Sequence, residues 1–247
     1  MSNLGRRGVL GLAAAAVAGR AEAQAGYPDK PIRMIIAFAA GGPTDILARM
    51  LAPRLSEVLG QQIVVENKPG ATGNIGTAMV ADAKPDGYTI LFSASTMAMA
   101  PALYGKQVGY DPVNGFEGIA YVASVPLIVV VPADGAKSIG ELADMLRKEK
   151  GMPQLPDVPT VREALGFPFS INTWYAAYAP KGTPRPIIDK LNAAFNKALK
   201  EPEVKKWAEG RAIELIQDST PASAKKFYDD QMAFWDPIIK QSGAKPE

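Results

Sequence analysis

The spacing of apolar residues changes abruptly near the start of the chain. Residues 32–38 form a short apolar run rich in β-branched side chains; Gly41 and Gly42 follow, and from Pro43 the apolar residues lie three or four positions apart. The run predicts a strand covered on both faces, and the spacing predicts a helix that begins near Pro43. Together they predict a βα corner that presents the N–H groups of a helix N-terminus to a small anion, with no side chain at the glycines to obstruct it.

The same unit then repeats twice. Residues 63–67 and 88–93 are predicted to be two further strands, each ending in a loop of small residues. Thr72 is predicted to cap the helix that follows the second loop, whereas Ser93 and Ser95 are open to two interpretations, helix capping or ligand contact. Because parallel strands end at the same edge of an open sheet, the three loops are predicted to line one crevice.

The candidate ligand-binding residues lie in these three corners. They are Phe38, Ala39, Ala40, Gly41, Gly42 and Asp45 in the first corner, Gly70, Ala71, Thr72 and Gly73 in the second, and Ser93, Ala94, Ser95 and Thr96 in the third. Carboxylate or phosphate is the ligand that such corners favour, since N–H groups and helix dipoles attract negative charge. Asp45 has a second interpretation, because an acid in the first turn also complements the helix dipole.

The second half of the chain predicts a less regular order of elements. Extended chain over residues 116–131 is followed by a capping box at Ser138 and Glu141, and a second capping box is predicted at residues 160–163. A return strand is predicted at 174–179, helices after Pro184 and Pro202, a short strand at 213–216 and a final helix capped by Thr220. The two aromatic residues at 174 and 175 are interpreted as core packing in preference to cleft walls.

The N-terminus has the pattern of an export signal. Arg6 and Arg7 precede a mildly apolar, alanine-rich stretch and a run of small residues that ends near position 25. The arginine pair resembles a twin-arginine signal. The apolar stretch is shorter than the ~20 residues that span a bilayer, so residues 1–25 are predicted to be a signal peptide and the protein to be periplasmic.

Charge and composition exclude several classes of function. The segment 1–25 holds three of the 27 basic and one of the 25 acidic residues, so the remainder is neutral and offers no field for nucleic acid or a membrane surface. The chain has neither cysteine nor histidine, which excludes Ser-His-Asp and Cys-His nucleophiles and the usual zinc ligand sets. We therefore expect no catalytic residues and no metal bound by these ligand sets. The spacing of Gly70, Gly73 and Gly76 matches neither a dinucleotide fingerprint nor a P-loop.

Six segments carry a resemblance to a known family. They are FAAGGPTDILARMLAPRLSEVLGQ, IVVENKPGATGNIGT, KPDGYTILFSAS, LPDVPTVREAL, WYAAYAPKGTPRPIIDKLNAAFNKAL and WDPIIKQSGAK. They resemble the substrate-binding proteins of tripartite tricarboxylate transporters, the Bug family of bacterial periplasmic receptors. The resemblance implies an α/β fold of the type II periplasmic-binding-protein kind, in which two lobes with mostly parallel sheets hold a small carboxylate between them. It also implies membrane components of a tripartite tricarboxylate transporter as partners, and no cofactor.

The chain departs from this family in its second lobe. We assign residues 26–122 and 184–247 to the first lobe and 123–183 to a shortened second lobe with crossover strands. Between Lys150 and Leu155 we infer the loss of at least two βαβ-type units, ~60 residues or more at roughly 30 per unit. The predicted function is carboxylate capture weakened by this loss, with possible self-association through the shortened lobe. One alternative is a non-transport interaction or sensory protein that no longer retains ligand. Another is a hydrolase or isomerase built on the same lobes, for which the candidate bases are carboxylates, lysines and tyrosines.

Overall fold

The computed structural model describes residues 26–127, 135, 137, 138, 141 and 172–244. Its centre is a six-stranded sheet in the order β2-β1-β3-β5-β4-β6. The strands are β1 Ile32–Ile36, β2 Ile63–Asn67, β3 Thr89–Ala94, β4 Phe116–Pro126, β5 Asn172–Pro180 and β6 Glu214–Leu215. The α-helices within the described residues are α1 Pro43–Leu59, α2 Asn74–Ala81, α3 Thr96–Tyr104, α4 Arg185–Lys200, α5 Pro202–Glu209 and α6 Pro221–Ser242. Short 3₁₀ turns lie at Ala71–Gly73 and Gly105–Val108.

The sheet is mixed, with a parallel and an antiparallel half. Strands β2, β1 and β3 are parallel, as predicted, but β5 pairs antiparallel with β3 on one side and with β4 on the other, and β6 pairs antiparallel with β4. The prediction of an α/β fold is confirmed, and its detail of a mostly parallel sheet is wrong for the described residues. The reason is that β5 returns from outside the first three units and inserts beside β3. Residues 123–126 and 172–180, which we assigned to the second lobe as crossover strands, thus lie in the sheet of the first three strands.

Both faces of the sheet are covered by helices. Alternate residues of β1 face opposite sides, so that Met34 packs in the core cluster that contains Leu51 of α1 and Leu191 of α4. Ile35 packs in the other cluster, with Val80 of α2 and Tyr228 of α6. This double burial explains why the strands read as continuous apolar runs in the sequence.

Several predictions about individual elements are decided by this packing. Trp174 and Tyr175 are buried in β5, so the core interpretation is confirmed. Helix α1 runs from Pro43 as predicted and includes Pro53, but its first apolar residue, Ile46, is 45% exposed and does not belong to the buried face. Thr220 accepts a hydrogen bond from the Ser223 N–H at 3.0 Å and caps α6 as predicted.

Other predictions lie partly or wholly outside the described residues. The export signal at 1–25, the apolar residues 128–131 and the capping box at 160–163 are outside them. Ser138 Oγ accepts a hydrogen bond from the Glu141 N–H at 3.1 Å, which is one half of the predicted capping box. Among the residues that the structure describes, no helix is long and apolar enough to cross a membrane. The same residues contain no cluster of three or more acidic side chains suited to a metal ion.

Candidate functional site

The three predicted corners meet at one edge of the sheet. Ile36 at the end of β1 lies beside Asn67 of β2 and beside Phe92 of β3, so the chain leaves all three strands on the same side. The first two loops are also in contact, because a Cβ atom placed on Gly73 would lie 3.3 Å from the Phe38 ring and from the Ala37 side chain. The structure thus brings the predicted site residues of the first two loops directly together.

The first loop, residues 38–42, is fastened by the carboxylate of Asp45. Asp45 is only 3% exposed, and its Oδ2 accepts a hydrogen bond from the Gly41 N–H at 2.9 Å. Arg49 Nε donates to both Asp45 oxygens at 3.0 Å, and Asn67 Nδ2 donates to Oδ1 at 2.9 Å. The carboxylate therefore has hydrogen-bond partners in the loop, on α1 and on β2, and what it does in this structure is position the backbone.

Asn67 and Arg49 complete this network, and neither was among the predicted site residues. Asn67 Nδ2 also donates to the Phe38 carbonyl at 3.0 Å, and Asn67 Oδ1 accepts from Arg49 Nη2 at 2.9 Å. One amide side chain thereby ties the end of β2 to the first loop and to α1. A polar residue at the carboxyl end of a buried strand was a signal available in the sequence, because this is where open α/β sheets place their ligand sites.

The network determines the charge state of Asp45. Burial alone disfavours the charged carboxylate, but the hydrogen bonds from Arg49, the Gly41 N–H and Asn67, together with the charge of Arg49, outweigh burial and lower the pKa of Asp45 below its ordinary value of 3.8. Asp45 is therefore ionised at neutral pH.

Backbone donors remain at the start of α1. The N-cap residue, Gly42, makes no side-chain cap. The N–H groups of Thr44 and Asp45 have no acceptor within the described residues, while the Gly42 N–H makes only a long contact of 3.4 Å to the Ala39 carbonyl. The first turn of a helix ordinarily leaves such donors for a side chain, water or a ligand, and the helix dipole adds positive potential there.

The second loop, Gly70 to Gly73, has an unusual backbone. All four residues have positive φ, at 130°, 46°, 55° and 94° in chain order, although Ala71 and Thr72 are not glycine. The Gly73 N–H closes the turn by donating to the Gly70 carbonyl at 3.0 Å. The N–H groups of Ala71 and Thr72 have no acceptor among the residues described. Non-glycine residues in this region of φ/ψ space are strained, and such strain is often found at ligand sites.

Thr72 has a different role from the one predicted. Helix α2 begins after Gly73, and no side chain caps it, so the predicted Thr72 cap is wrong. The Thr72 hydroxyl instead lies 2.7 Å from the Tyr104 hydroxyl, at the end of α3. The reason is that Gly73, and not Thr72, occupies the N-cap position of α2, one residue later than predicted. Ile75 of α2 is 58% exposed and lies beside Gly70.

The loop of the third corner is shorter than the sequence predicted. Strand β3 includes Ser93, as predicted, and continues through Ala94; both are buried, so Ala94, which was predicted to lie in the loop, belongs to the sheet. Only Ser95 separates β3 from α3, and its side chain makes no helix cap, so the capping interpretation of Ser95 is wrong. The Oγ1 atom of Thr96 is buried without a hydrogen-bond partner in the described part of the chain.

A buried amide stands behind the second loop. Asn74, the first residue of α2, is 5% exposed; its Oδ1 accepts from the Tyr110 hydroxyl at 3.2 Å, while its Nδ2 has no partner among the described residues. Basic side chains near the corners are already paired, Arg49 with Asp45 and Lys68 with Glu66 at 3.9 Å. The donors available to an anion at these corners are therefore mainly backbone N–H groups and small polar side chains.

Comparisons of this chain with known protein families and known proteins indicate one family. The sequence model of a family described as the tripartite tricarboxylate transporter family receptor matches residues 47–152 and 140–244. A protein of Pseudomonas sp. strain P51, encoded in the tcbD-tcbE intergenic region, is 29% identical over 286 aligned positions that cover 83% of this chain and 85% of the relative. Those positions outnumber the 247 residues of this chain, so the relative has residues with no counterpart here. The two matched segments overlap at residues 140–152, next to the position between Lys150 and Leu155 where residues are predicted to be missing.

Solved structures share the fold. The structure of the periplasmic binding protein BugD is 27% identical, with a TM-score of 0.77, and the match covers 90% of this chain and all of BugD. MatC from Rhodopseudomonas palustris, solved with bound malate, superposes with a TM-score of 0.75 at 23% identity and covers 86% of this chain and all of MatC. The first similarity supports both family and fold, and the second supports the fold alone.

Proposed function

This chain belongs to the tripartite tricarboxylate transporter receptor family, and on that premise we propose that it is a periplasmic solute-binding protein that captures a small carboxylate at its three βα corners. In this proposal residues 1–25 direct export and the loaded protein docks on the membrane components of a tripartite transporter. The support is the family, the periplasmic relative BugD and the malate held by MatC.

One observation carries the proposal. Backbone N–H groups at the start of α1 have no acceptor within the described residues, while the Asp45 carboxylate already has hydrogen-bond partners of its own. The Asp45 carboxylate holds the Gly41 N–H, so the loop has its shape before any ligand arrives. The Thr44 and Asp45 N–H groups, with no acceptor in the described residues, are left for the ligand. A preformed set of donors loses less entropy on binding than a flexible loop would.

The donor set favours binding over catalysis. With no histidine or cysteine in the chain, a proton-transfer role would fall to carboxylates, lysines or tyrosines. The one acid at the first corner is held ionised by its hydrogen bonds. Backbone N–H groups and a helix dipole attract a carboxylate, but they leave the identity of the rest of the ligand open.

The shortened chain implies a weaker site than that of a full two-lobed receptor. If the missing segment supplied two charge-assisted hydrogen bonds at ~1.5–3 kcal/mol each, its loss removes about 3–6 kcal/mol of binding free energy. At about 1.4 kcal/mol per tenfold change, a micromolar receptor becomes millimolar or weaker. Leu127, the residue after β4, is 59% exposed, and we expect such apolar surface to promote self-association.

The test is a thermal-shift and calorimetry screen of the chain lacking residues 1–25 against malate and a panel of other mono-, di- and tricarboxylates. A ligand present at about 100 times its Kd should stabilise the protein by about 2.7 kcal/mol. The matched variant is Gly42→Val, since Gly42 has φ −76° and a Cβ there would meet only the Ala39 carbonyl at 3.4 Å. It should retain the fold and lose binding.

Gly26→Val is the control, because a Cβ at Gly26 meets no atom within 4 Å. It should leave binding unchanged. No stabilisation by any carboxylate up to about 100 mM would contradict the capture proposal, and ligand-independent recovery of a partner protein would then favour the interaction-protein alternative. Micromolar binding by a monomer in light scattering would show that the shortening does not weaken the site.

Export is tested separately. We expect the full reading frame to yield a periplasmic protein that lacks its first residues, and Arg6→Lys together with Arg7→Lys to block a twin-arginine route. Cytoplasmic protein with Met1 intact would remove the periplasmic part of the proposal.

A further inference from the structure

We propose that Tyr104 is a positioning residue that holds the second ligand loop, Gly70 to Gly73, in its binding conformation through the Thr72 hydroxyl. The inference rests on the proposed function, because it concerns a loop of that site, but the loop conformation can be measured without ligand. Tyr104 was not among the predicted site residues, and its sequence neighbours gave no signal for such a role.

The strained backbone of this loop requires stabilising contacts from residues outside the loop. Ala71 and Thr72 have φ of 46° and 55°, and Thr72 has ψ of 29°, so two consecutive residues with Cβ atoms occupy the left-handed region. Turns of this shape normally carry glycine or asparagine at both central positions. Each side chain here disfavours the conformation by about 1–2 kcal/mol, so the turn persists only where neighbouring contacts fix it.

Contacts at the two ends of the loop leave its centre unsupported. At one end the exposed Ile75 side chain lies over Gly70, and at the other Thr77 Oγ1 donates to the Gly73 carbonyl at 2.8 Å while Gly73 packs against Phe38. Within the described residues, the one hydrogen bond made by a side chain of the central pair is that between Thr72 and Tyr104. The Tyr104 hydroxyl thus lies at the strained centre of the turn, beside Thr72.

Tyr104 is itself held by its helix. It is the last residue of α3, whose first residue, Thr96, belongs to the third corner. Helix α3 packs in the second core cluster through Met97 and Ala98. A side chain anchored on that helix couples the second loop to the third corner, so that the Ala71 and Thr72 N–H groups keep a fixed direction relative to the other donors.

The first experiment measures amide hydrogen exchange by NMR in the full chain without ligand. Tyr104→Phe should speed exchange of the Gly73 N–H, which closes the turn, by about three- to tenfold, the range that corresponds to one modest hydrogen bond. Thr72→Val should do the same, and Thr72→Ser, which keeps the hydroxyl, should restore the wild-type rate. The double variant should exchange no faster than either single variant, because both remove the same bond.

Tyr88→Phe is the matched control. It removes a tyrosine hydroxyl that donates to Asp29 Oδ1 at 2.5 Å. Tyr88 immediately precedes β3, at the opposite end of that strand from the three corners, so the change should leave Gly73 exchange unchanged. An unchanged Gly73 exchange rate in Tyr104→Phe would overturn the inference. An additive double variant would overturn it as well, since the two hydroxyls would then act separately.

The second experiment measures malate binding by calorimetry on the same variants. Tyr104→Phe should weaken binding about three- to tenfold with little change in melting temperature, a combination that a merely structural role would not give. If wild-type protein binds no carboxylate while the exchange result holds, the proposed function fails and the positioning role stands. If wild-type protein binds and Tyr104→Phe binds equally well, the positioning role fails and the proposed function stands.

Discussion

The first and second ligand loops meet at one edge of the sheet but are held in place by different means. The first loop has one residue of positive φ, Gly41 at 80°, and is fastened by the buried Asp45 carboxylate with its partners on α1 and β2. The second has four residues of positive φ in succession and, within the described residues, a single side-chain hydrogen bond at its centre, between the Thr72 and Tyr104 hydroxyls. Polar side chains hold the first loop, and close packing together with one hydroxyl holds the second.

This difference implies different sensitivities. The first loop depends on an ionised group, so its stability should respond to acid and to loss of charge. The second depends on backbone shape, so it should respond to the volume and conformational preference of the residues at its turn. The following predictions test this contrast, from the largest expected effect to the smallest.

Asp45→Ala should destabilise the fold by about 2–4 kcal/mol. The change leaves the Gly41 N–H and one of the two Asn67 Nδ2 hydrogens without an acceptor and removes the anion that pairs with Arg49. Urea unfolding monitored by circular dichroism measures the loss. A cost below about 1 kcal/mol would be that of a simple helix cap and would contradict the network interpretation.

Asp45→Asn sharpens that prediction through its pH dependence. Because the pKa of Asp45 is lowered in the fold, the carboxylate stabilises the protein above the unfolded-state pKa, near 3.8, and this stabilisation disappears as the pH falls through the folded pKa. The stability difference between wild type and Asp45→Asn should therefore be full at pH 7 and shrink below about pH 4. A difference independent of pH between 3 and 7 would contradict it.

Gly73→Ala should destabilise the fold by about 1.5–3 kcal/mol, through positive φ and through contacts at 3.3 Å with Ala37 and Phe38. The matched control is Gly60→Ala at the end of α1, where φ is 72° but a Cβ meets nothing within 4 Å. The control should cost only about 1 kcal/mol. Equal losses of stability for the two variants in thermal unfolding would contradict close packing between the first and second ligand loops.

Ala71→Gly should raise stability slightly, by about 0.5 kcal/mol. Glycine relieves the strain at φ 46°, and the added freedom of the unfolded chain offsets most of that gain. Ala193→Gly, at an exposed position within α4, serves as the control and should destabilise by about 1 kcal/mol. A destabilised Ala71→Gly in the same unfolding assay would show that the second turn is not strained.

Local sequence patterns predicted most of the secondary structure and the edge of the sheet at which the three corners meet. The apolar runs at Ile32 and Ile63 and the helix beginning at Pro43 are local features, decided by side-chain periodicity and turn chemistry within a dozen residues. The convergence of three corners followed from them, because short right-handed βα connections leave few arrangements of consecutive parallel strands. The roles of Asp45 and Thr72 did not follow, since each depends on a partner distant in sequence or on an unusual φ.

The sequence by itself therefore determined the elements, the parallel half of the sheet and the family of the chain. Only the tertiary structure decided that β5 inserts antiparallel beside β3, that Asn67 joins the first loop to α1, and that Tyr104 reaches Thr72. Periodicity records whether a residue is buried but not against what it is buried. Long-range partners are selected by the packing of whole elements, and a single hydroxyl or amide leaves no periodic trace in the chain.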